Sequence, residues 1–96
     1  MELQAIGIPW YKRENFNELV KLFDDGHKLH DTYPEWLASA NSLRREIESK
    51  GIRVVCVDID PESFSSWCKS EGRRRDADAR REYASMVAYR TITDGQ

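Results

Sequence analysis

The chain has 96 residues, 40% of them hydrophobic and 33% charged, and a formal net charge of -2. This length and composition are typical of one globular domain with a small core, so residues 1–96 are predicted to form a single domain. The slightly acidic balance disfavours a general nucleic-acid or membrane binder, because such proteins are usually clearly basic.

The cysteine content and the first residues indicate a compartment. Cys56 and Cys68 are the only cysteines, whereas small domains of oxidising compartments more often carry about four to eight. The opening MELQAIGIPWYKRE lacks the basic start and the long apolar run of a signal peptide. No stretch reaches the roughly 18 apolar residues of a membrane span. We therefore expect a cytoplasmic protein that does not contact a membrane.

The first two predicted elements are a strand and a helix. ELQAIGI, Glu2–Ile8, alternates in the manner of a strand, and Pro9 is expected to end it. In RENFNELVKLFDDG, apolar residues recur at the spacing of a helical face, and Gly26 is expected to terminate the helix. The residues of that face are Phe16, Leu19, Val20 and Phe23.

DTYPEWLASANSLRREIESKG predicts a longer helix with clear signals at both ends. Thr32 and Glu35 fit a capping box, in which the two residues satisfy each other's backbone N–H groups. Pro34 falls in the first turn, where its missing N–H is harmless, and Gly51 closes the helix. The inward-facing line is expected to be Trp36, Ala40, Leu43 and Ile47.

IRVVCVDI, Ile52–Ile59, is the strongest strand prediction. Its middle is apolar on both alternating faces, so we expect both faces to be covered by other elements. A helix then begins with Asp60 as its N-cap and ends at Gly72. The last helix is predicted to be capped by Asp76 or Asp78.

These elements predict a mostly helical α+β fold with one or two strands, in the order (β)-α-α-β-α-α. The last helix is expected to give way to a frayed tail at residues 92–96. A single strand leaves its hydrogen-bonding edges unpaired. Residues 52–59 therefore pair either with residues 2–8 or with the same strand of a second copy. The sequence does not decide between these two pairings, and the second would make the protein a homodimer.

The motif VDIDPESFSSWC resembles a segment of small bacterial proteins that carry no assigned activity. The residues that match their pattern are Val57, Ile59, Asp60, Pro61, Phe64, Trp67 and Cys68. The resemblance extends to the aromatic pair Trp10-Tyr11, to the segment TYPEWL at residues 32–37, and to Arg80. It implies one domain of bacterial or phage origin, and it brings no reaction with it.

The order of strand, DPE turn, helix, glycine and arginine-rich turn also resembles a ribbon-helix-helix module. That resemblance implies a dimer whose paired strands enter the major groove of DNA. The strand residues that would read bases are Arg53, Val55 and Val57, or else Val54, Cys56 and Asp58. Both sets depart from the family, because bases are read mainly by long polar side chains.

A basic segment, Lys69–Arg81, is one candidate site. Its six basic residues, against three acidic ones, are Lys69, Arg73, Arg74, Arg75, Arg80 and Arg81. Close to the start of a helix, such a cluster suits phosphate or another anion. The preferred interpretation is a solvated turn, whose cations complement the C-terminal end of the preceding helix.

The sequence HKLHD offers the strongest set of metal ligands. His27, His30 and Asp31 are three side chains of suitable chemistry. Zinc sites, however, usually show a second ligand pair at fixed spacing, which is missing from this sequence. We therefore expect neither a metal nor a cofactor.

The remaining candidates for catalysis are carboxylates and thiols. Asp58 and Asp60 lie two residues apart at the end of a strand and would suit Mg²⁺ or acid–base chemistry. Asp60, however, is already explained as a helix cap. Cys56 and Cys68 form no CxxC pair, and a buried cysteine usually behaves as a small hydrophobic residue. We therefore expect no catalytic residue.

Trp10 and Tyr11, directly after Pro9, are the best candidates for an exposed contact with a protein partner, whereas Trp36 is expected in the core. The preferred function is a small non-enzymatic binding or adaptor protein that contacts another protein or its own copy. The alternative is a nucleic-acid-binding regulator that uses the basic segment, and a metal-dependent enzyme ranks third.

Overall fold

The computed structural model describes residues 5–94 as two strands, four α-helices and one 3₁₀ turn. The strands are β1 (Ala5–Trp10) and β2 (Arg53–Asp58). The other elements are α1 (Arg13–Leu22), the 3₁₀ turn (Gly26–Lys28), α2 (Tyr33–Ser49), α3 (Pro61–Ser70) and α4 (Ala77–Asp94). The predicted mostly helical α+β fold is confirmed.

The two strands form a parallel sheet within one chain. Ala5 pairs with Arg53 at one end and Trp10 with Asp58 at the other. Just beyond this register, the Ile59 N–H donates to the Trp10 carbonyl at 2.9 Å. β2 therefore takes its partner from the N-terminal strand of its own chain, the first of the two pairings that the sequence left open.

Pro9 does not end β1, contrary to the prediction. The strand continues to Trp10, and Pro9 lies in register with Val57. Because the Trp10 carbonyl faces β2, the alternation of a strand turns the Pro9 nitrogen away from β2. A missing N–H on an edge strand costs no ladder hydrogen bond. Residues 2–4 of the predicted strand lie outside the described residues.

α4 covers one face of the sheet at very short range. Val57 of β2 packs with Ala84 and Ala88 of α4 in a buried cluster. A Cβ atom on Gly7 would lie 2.5 Å from the Ala84 carbonyl oxygen and 2.6 Å from the Ala88 Cβ. Only glycine at this position lets the helix approach β1 so closely.

α2 covers the other face incompletely. Trp36 of α2 meets Trp10 of β1 edge-on, with ring centres 5.3 Å apart. On β2, Cys56 is exposed and Val54 only half-buried. Helices therefore lie over both faces of β2, as expected, but α2 covers its face only in part, because a single helix spans this side of the two strands and leaves β2 partly open.

The main core is built from aromatic side chains. Tyr11 lies between Trp36 and Phe23, with ring centres 4.6 and 5.6 Å away. Phe64 of α3 is fully buried and meets Phe23 edge-on at 5.7 Å. Such edge-on pairs add to the gain from apolar burial. The prediction that Trp36 belongs to the core is confirmed, since it is 7% exposed.

Most helix ends follow the sequence signals. The Asp60 side chain accepts from the Ser63 N–H at 2.9 Å and caps α3. Gly51 and Gly72 follow α2 and α3 with φ of 81° and 63°, the left-handed conformation that glycine adopts without strain. These three predictions are confirmed.

Two predicted ends differ. α1 stops at Leu22, and Gly26 begins the 3₁₀ turn instead of ending the helix. A Cβ on Gly26 would lie 1.8 Å from the Val20 carbonyl oxygen, so this glycine is needed for close packing. α4 runs to Asp94, so residues 92–94 are helical where a frayed tail was predicted. Residues 95–96 lie outside the described part of the chain.

The N-cap of α2 gives a first testable prediction. It forms one half of the predicted capping box, because the Glu35 carboxylate accepts from the Thr32 hydroxyl instead of the Thr32 N–H. The Thr32 hydroxyl accepts from the Glu35 N–H and donates to the Glu35 carboxylate at 2.8 Å. Replacing Thr32 with alanine is expected to lower the free energy of unfolding by about 1 kcal/mol. Urea denaturation measures this loss. Thr32→Ser keeps the hydroxyl and should retain most of the stability, so an equal loss in both variants would contradict the capping role.

Candidate functional site

A groove of about 540 Å³ lies between α2 and α4, along the outer side of β1. α2 runs antiparallel to β1. At the start of α2, the Tyr33 hydroxyl donates to the carbonyl of Tyr11, just after β1, at 3.0 Å. After the end of α2, the chain enters β2 at Arg53, beside Ala5 at the start of β1. α4 has the same direction, since Arg80 lies near Tyr11 and Ala84 lies over Gly7. The two helices therefore form the two walls of one channel.

The α2 wall of the groove and the side of β1 below it are apolar. Leu43 is 49% exposed and Ile6 is 42% exposed, and both line the channel. Ala40, Ile47 and Ile8 continue the same surface. Leu43 was predicted to face inward with Trp36. It does lie on that side of α2, but it borders open space because α2 stands away from β1 there.

The charged residues that line the groove are all basic. They are Lys28 of the 3₁₀ turn and Arg80 and Arg81 of α4, with His30 beside them. Among residues 5–94, no aspartate or glutamate lines this channel. The whole chain has a net charge of -2. The groove differs from it, because its lining combines apolar side chains with basic ones.

These basic residues gather at one end of the groove. Arg80 lies near Tyr11, which follows β1, and Lys28 is three residues from Asp25, the partner of Arg80. The apolar residues Ile6 and Ile47 lie toward the start of β1, because α2 is antiparallel to it. The groove is therefore basic at the end near Tyr11 and apolar at the end near Ala5.

Arg80 is a structural residue of the groove floor. It is 6% exposed, and its guanidinium donates to both carboxylate oxygens of Asp25, at 2.7 and 3.2 Å. It also stacks over Phe23, 4.3 Å from the ring centre. The hydrogen bonds from Arg80 lower the pKa of Asp25, whereas burial raises the pKa of Tyr11. A buried cation that is already paired holds elements together, so the structure disfavours the predicted anion contact through Arg80.

Three further arginines of the basic segment also lie beside acidic side chains of the chain. Arg73 pairs with Glu82, and Arg81 pairs with Asp78. The Arg74 side chain is 84% exposed, with its Nε 3.9 Å from an Asp24 oxygen. These surface pairs are weak and exchangeable. The contacts favour the solvated turn over a preformed phosphate site.

A second hollow, of about 370 Å³, lies at this turn. Lys69, Arg73, Arg74 and Arg75 line it, but so does Asp24, which accepts from the Arg75 N–H at 2.9 Å. The N-terminus of α4 is already occupied, because the Asp76 side chain accepts from the Ala79 N–H at 3.0 Å. Of the two predicted caps of α4, Asp76 and Asp78, it is therefore Asp76 that caps the helix. Its carboxylate lies at the helix start, where a bound anion would otherwise lie.

The predicted contact residues Trp10 and Tyr11 do not form an exposed edge. Tyr11 is 4% exposed and belongs to the core, and Trp10 is half-buried against Trp36. The prediction placed them in a loop after Pro9. Because β1 continues through Pro9, Trp10 is a strand residue under α2 instead, and Tyr11 enters the aromatic core.

The candidate metal and catalytic residues remain dispersed. Across residues 5–94, no three His, Cys, Asp or Glu side chains are grouped so as to hold a metal ion. His27, His30 and Asp31 are exposed, and Asp58 lies 3.8 Å from Lys12. Cys68 is buried and its thiol pKa is raised by burial, which disfavours the reactive thiolate.

Comparison of the chain with protein-family models, with curated proteins and with solved structures finds no match. In the described residues, no helix combines the length and the apolar character that crossing a membrane requires.

Proposed function

We propose that this chain is a small, non-enzymatic binding protein of the cytoplasm, an adaptor that takes a segment of a partner protein into the groove between α2 and α4. The observation that carries the proposal is the lining of the groove. Partly exposed apolar side chains there adjoin basic ones, with no acidic residue among the described lining.

The apolar surface supports binding because it is costly to leave in water. Leu43 and Ile6 each keep close to half of their surface exposed, at 49% and 42%. Covering apolar surface contributes about 25 cal/mol for each Å² removed from water. A partner that fills the channel would cover both side chains, together with Ala40 and Ile47 beside them.

The proposal replaces the predicted contact surface and keeps the predicted kind of function. Trp10 and Tyr11 support the groove from within, since both rings pack against Trp36, which lines it. The nucleic-acid alternative has less support, because Arg73, Arg74, Arg80 and Arg81 each lie beside an acidic side chain.

The test is selection of peptides from a random display library, with the affinity of the enriched peptides measured by fluorescence anisotropy. Leu43→Glu is expected to weaken binding by about tenfold or more, because it places a carboxylate in the apolar wall. The matched control is Ser42→Glu, which adds the same charge to the next residue of α2, an exposed position outside the groove. It should change affinity by less than about twofold.

Circular dichroism and urea denaturation of both variants establish that they are folded. Peptides that bind Leu43→Glu as tightly as the parent protein would contradict the proposed site. A library that yields no peptide dependent on Leu43 would also count against an adaptor that uses this groove.

A further inference from the structure

We infer that the occupant of the groove is an extended peptide segment that adds to the outer edge of β1 as a third strand and places an acidic side chain against Lys28 and Arg81. This inference rests on the proposed function and specifies its partner. It follows from the backbone of β1, from the difference between the two walls and from the position of the charges.

The outer edge of β1 carries unpaired peptide groups. The Trp10 carbonyl accepts from Ile59, so the peptide groups of Ile6, Ile8 and Trp10 face β2. Those of Gly7 and Pro9 face the opposite way, toward the groove. Within residues 5–94, the N–H of Gly7 and the carbonyls of Gly7 and Pro9 have no backbone hydrogen-bond partner beyond the sheet. Unpaired N–H and C=O groups along an edge strand form a template for another extended chain.

Gly7 is the centre of this template. It offers both an N–H and a carbonyl, whereas Pro9 offers a carbonyl only. Gly7 has no side chain because α4 approaches it closely on one face of the sheet.

The two walls differ in polarity, which predicts the pattern of the partner. Successive side chains of an added strand point alternately to the two faces of the sheet. One set would meet Ala40, Leu43 and Ile47 of α2, and the other would meet Arg81 and Ser85 of α4. The segment should therefore alternate apolar residues with polar ones, which is the pattern of a half-buried strand.

The position of the exposed basic side chains predicts where the acidic residue of the partner lies. Arg80 is saturated by Asp25 and takes no part. The Arg81 side chain is 66% exposed in a surface pair with Asp78, which a partner carboxylate can replace. Lys28 is exposed on the 3₁₀ turn. Both lie at the end of the groove near Tyr11, so the acidic side chain of the partner should lie there.

An extended occupant fits the groove better than a helical one. A helix satisfies its own backbone groups and would leave those of Gly7 and Pro9 without partners. A strand would pair them and still present every second side chain to the apolar wall. This distinction makes the binding mode testable separately from the location of the site.

The test uses peptides selected on the parent protein, synthesised with amidated C-termini so that the side chain supplies the only carboxylate. N-methylation is introduced at one peptide bond at a time. Methylation at alternate positions is expected to weaken binding by about tenfold, since it removes a hydrogen bond to the β1 edge, while the intervening positions should tolerate it. Replacing the acidic residue with glutamine should weaken binding by about threefold.

Arg81→Gln should reduce the difference between the acidic and the glutamine peptide, because only Lys28 then remains to meet the acid, whereas Arg45→Gln, at an exposed position of α2 outside the groove, should preserve it. A uniform tolerance of N-methylation, with binding still dependent on Leu43, would overturn strand addition and leave the proposed function standing. Binding that ignores Leu43 altogether would overturn the proposed function itself. An unchanged preference for the acid in Arg81→Gln would overturn the charge assignment.

Discussion

Replacing Asp25 with asparagine is expected to lower the free energy of unfolding by about 3 kcal/mol. Asp25 is the partner of Arg80, whose side chain is only 8% exposed. Removing one charge of a buried pair leaves the other without compensation, and typical losses are about 3–5 kcal/mol. The lower end applies because the amide oxygen of asparagine can still accept one hydrogen bond from the guanidinium.

Urea denaturation at neutral pH measures this loss as a shift of the midpoint at unchanged slope. The matched control is Glu48→Gln, which removes one charge of the half-exposed Arg44–Glu48 pair on α2. That change should cost only about 0.3–0.5 kcal/mol. A similar loss in both variants would show that the Arg80–Asp25 pair has no special importance for the fold.

The same pair predicts a dependence on pH. The hydrogen bonds from Arg80 lower the pKa of Asp25 below its ordinary value of 3.8. Its contribution to stability is therefore complete above pH 3.8 and is lost as the pH falls through the lower pKa of the folded state. The difference in stability between the parent and Asp25→Asn should be constant from neutral pH down to about pH 4 and should narrow below it.

Replacing Gly7 with alanine is expected to lower the free energy of unfolding by about 3 kcal/mol, the upper part of the range for overpacked sites. The new methyl group would lie 2.5 Å from the Ala84 carbonyl oxygen, a backbone atom that cannot rotate away. α4 would have to move off the sheet, and its buried contacts with Val57 would open. Thermal or urea unfolding followed by circular dichroism measures the effect.

Gly51→Ala separates this steric effect from a conformational one. Gly51 has φ of 81°, and a Cβ there would meet no atom within 4 Å. Its replacement should cost about 1–2 kcal/mol through the left-handed backbone alone. Equal losses at the two glycines would argue that close packing of α4 on β1 is not what requires Gly7.

The elements that could be predicted from the sequence are those whose signals are local. Thr32 with Glu35, Asp60 with Pro61, and the glycine after each of these helices set the ends of α2 and α3 through contacts within a few residues. The fold class followed from them. Pro9 misled the prediction because its effect depends on which side of the strand faces a partner, and that is decided by β2, far along the chain.

The candidate site was harder to predict because it is built from distant residues. Arg80 was assigned to a surface cluster, and nothing near it in sequence indicates that it pairs with Asp25, 55 residues away. Tyr11 looked exposed because its core neighbours come from α1 and α2. Leu43 was the one available signal for the groove, since it belongs to the apolar line of α2, but the spacing of a helix does not reveal how far that face stands from its neighbour.

β1 pairs with β2 and packs under α4, two elements that come much later in the sequence. This order has a consequence for synthesis of the chain on the ribosome. β1 is translated first, but its pairing partner begins at Arg53 and the helix that covers it begins at Ala77. At roughly 5–20 residues per second, the nascent strand waits several seconds before α4 is complete. During that interval Gly7 lacks the helix that packs against it, so β1 reaches its folded surroundings only once α4 has been made.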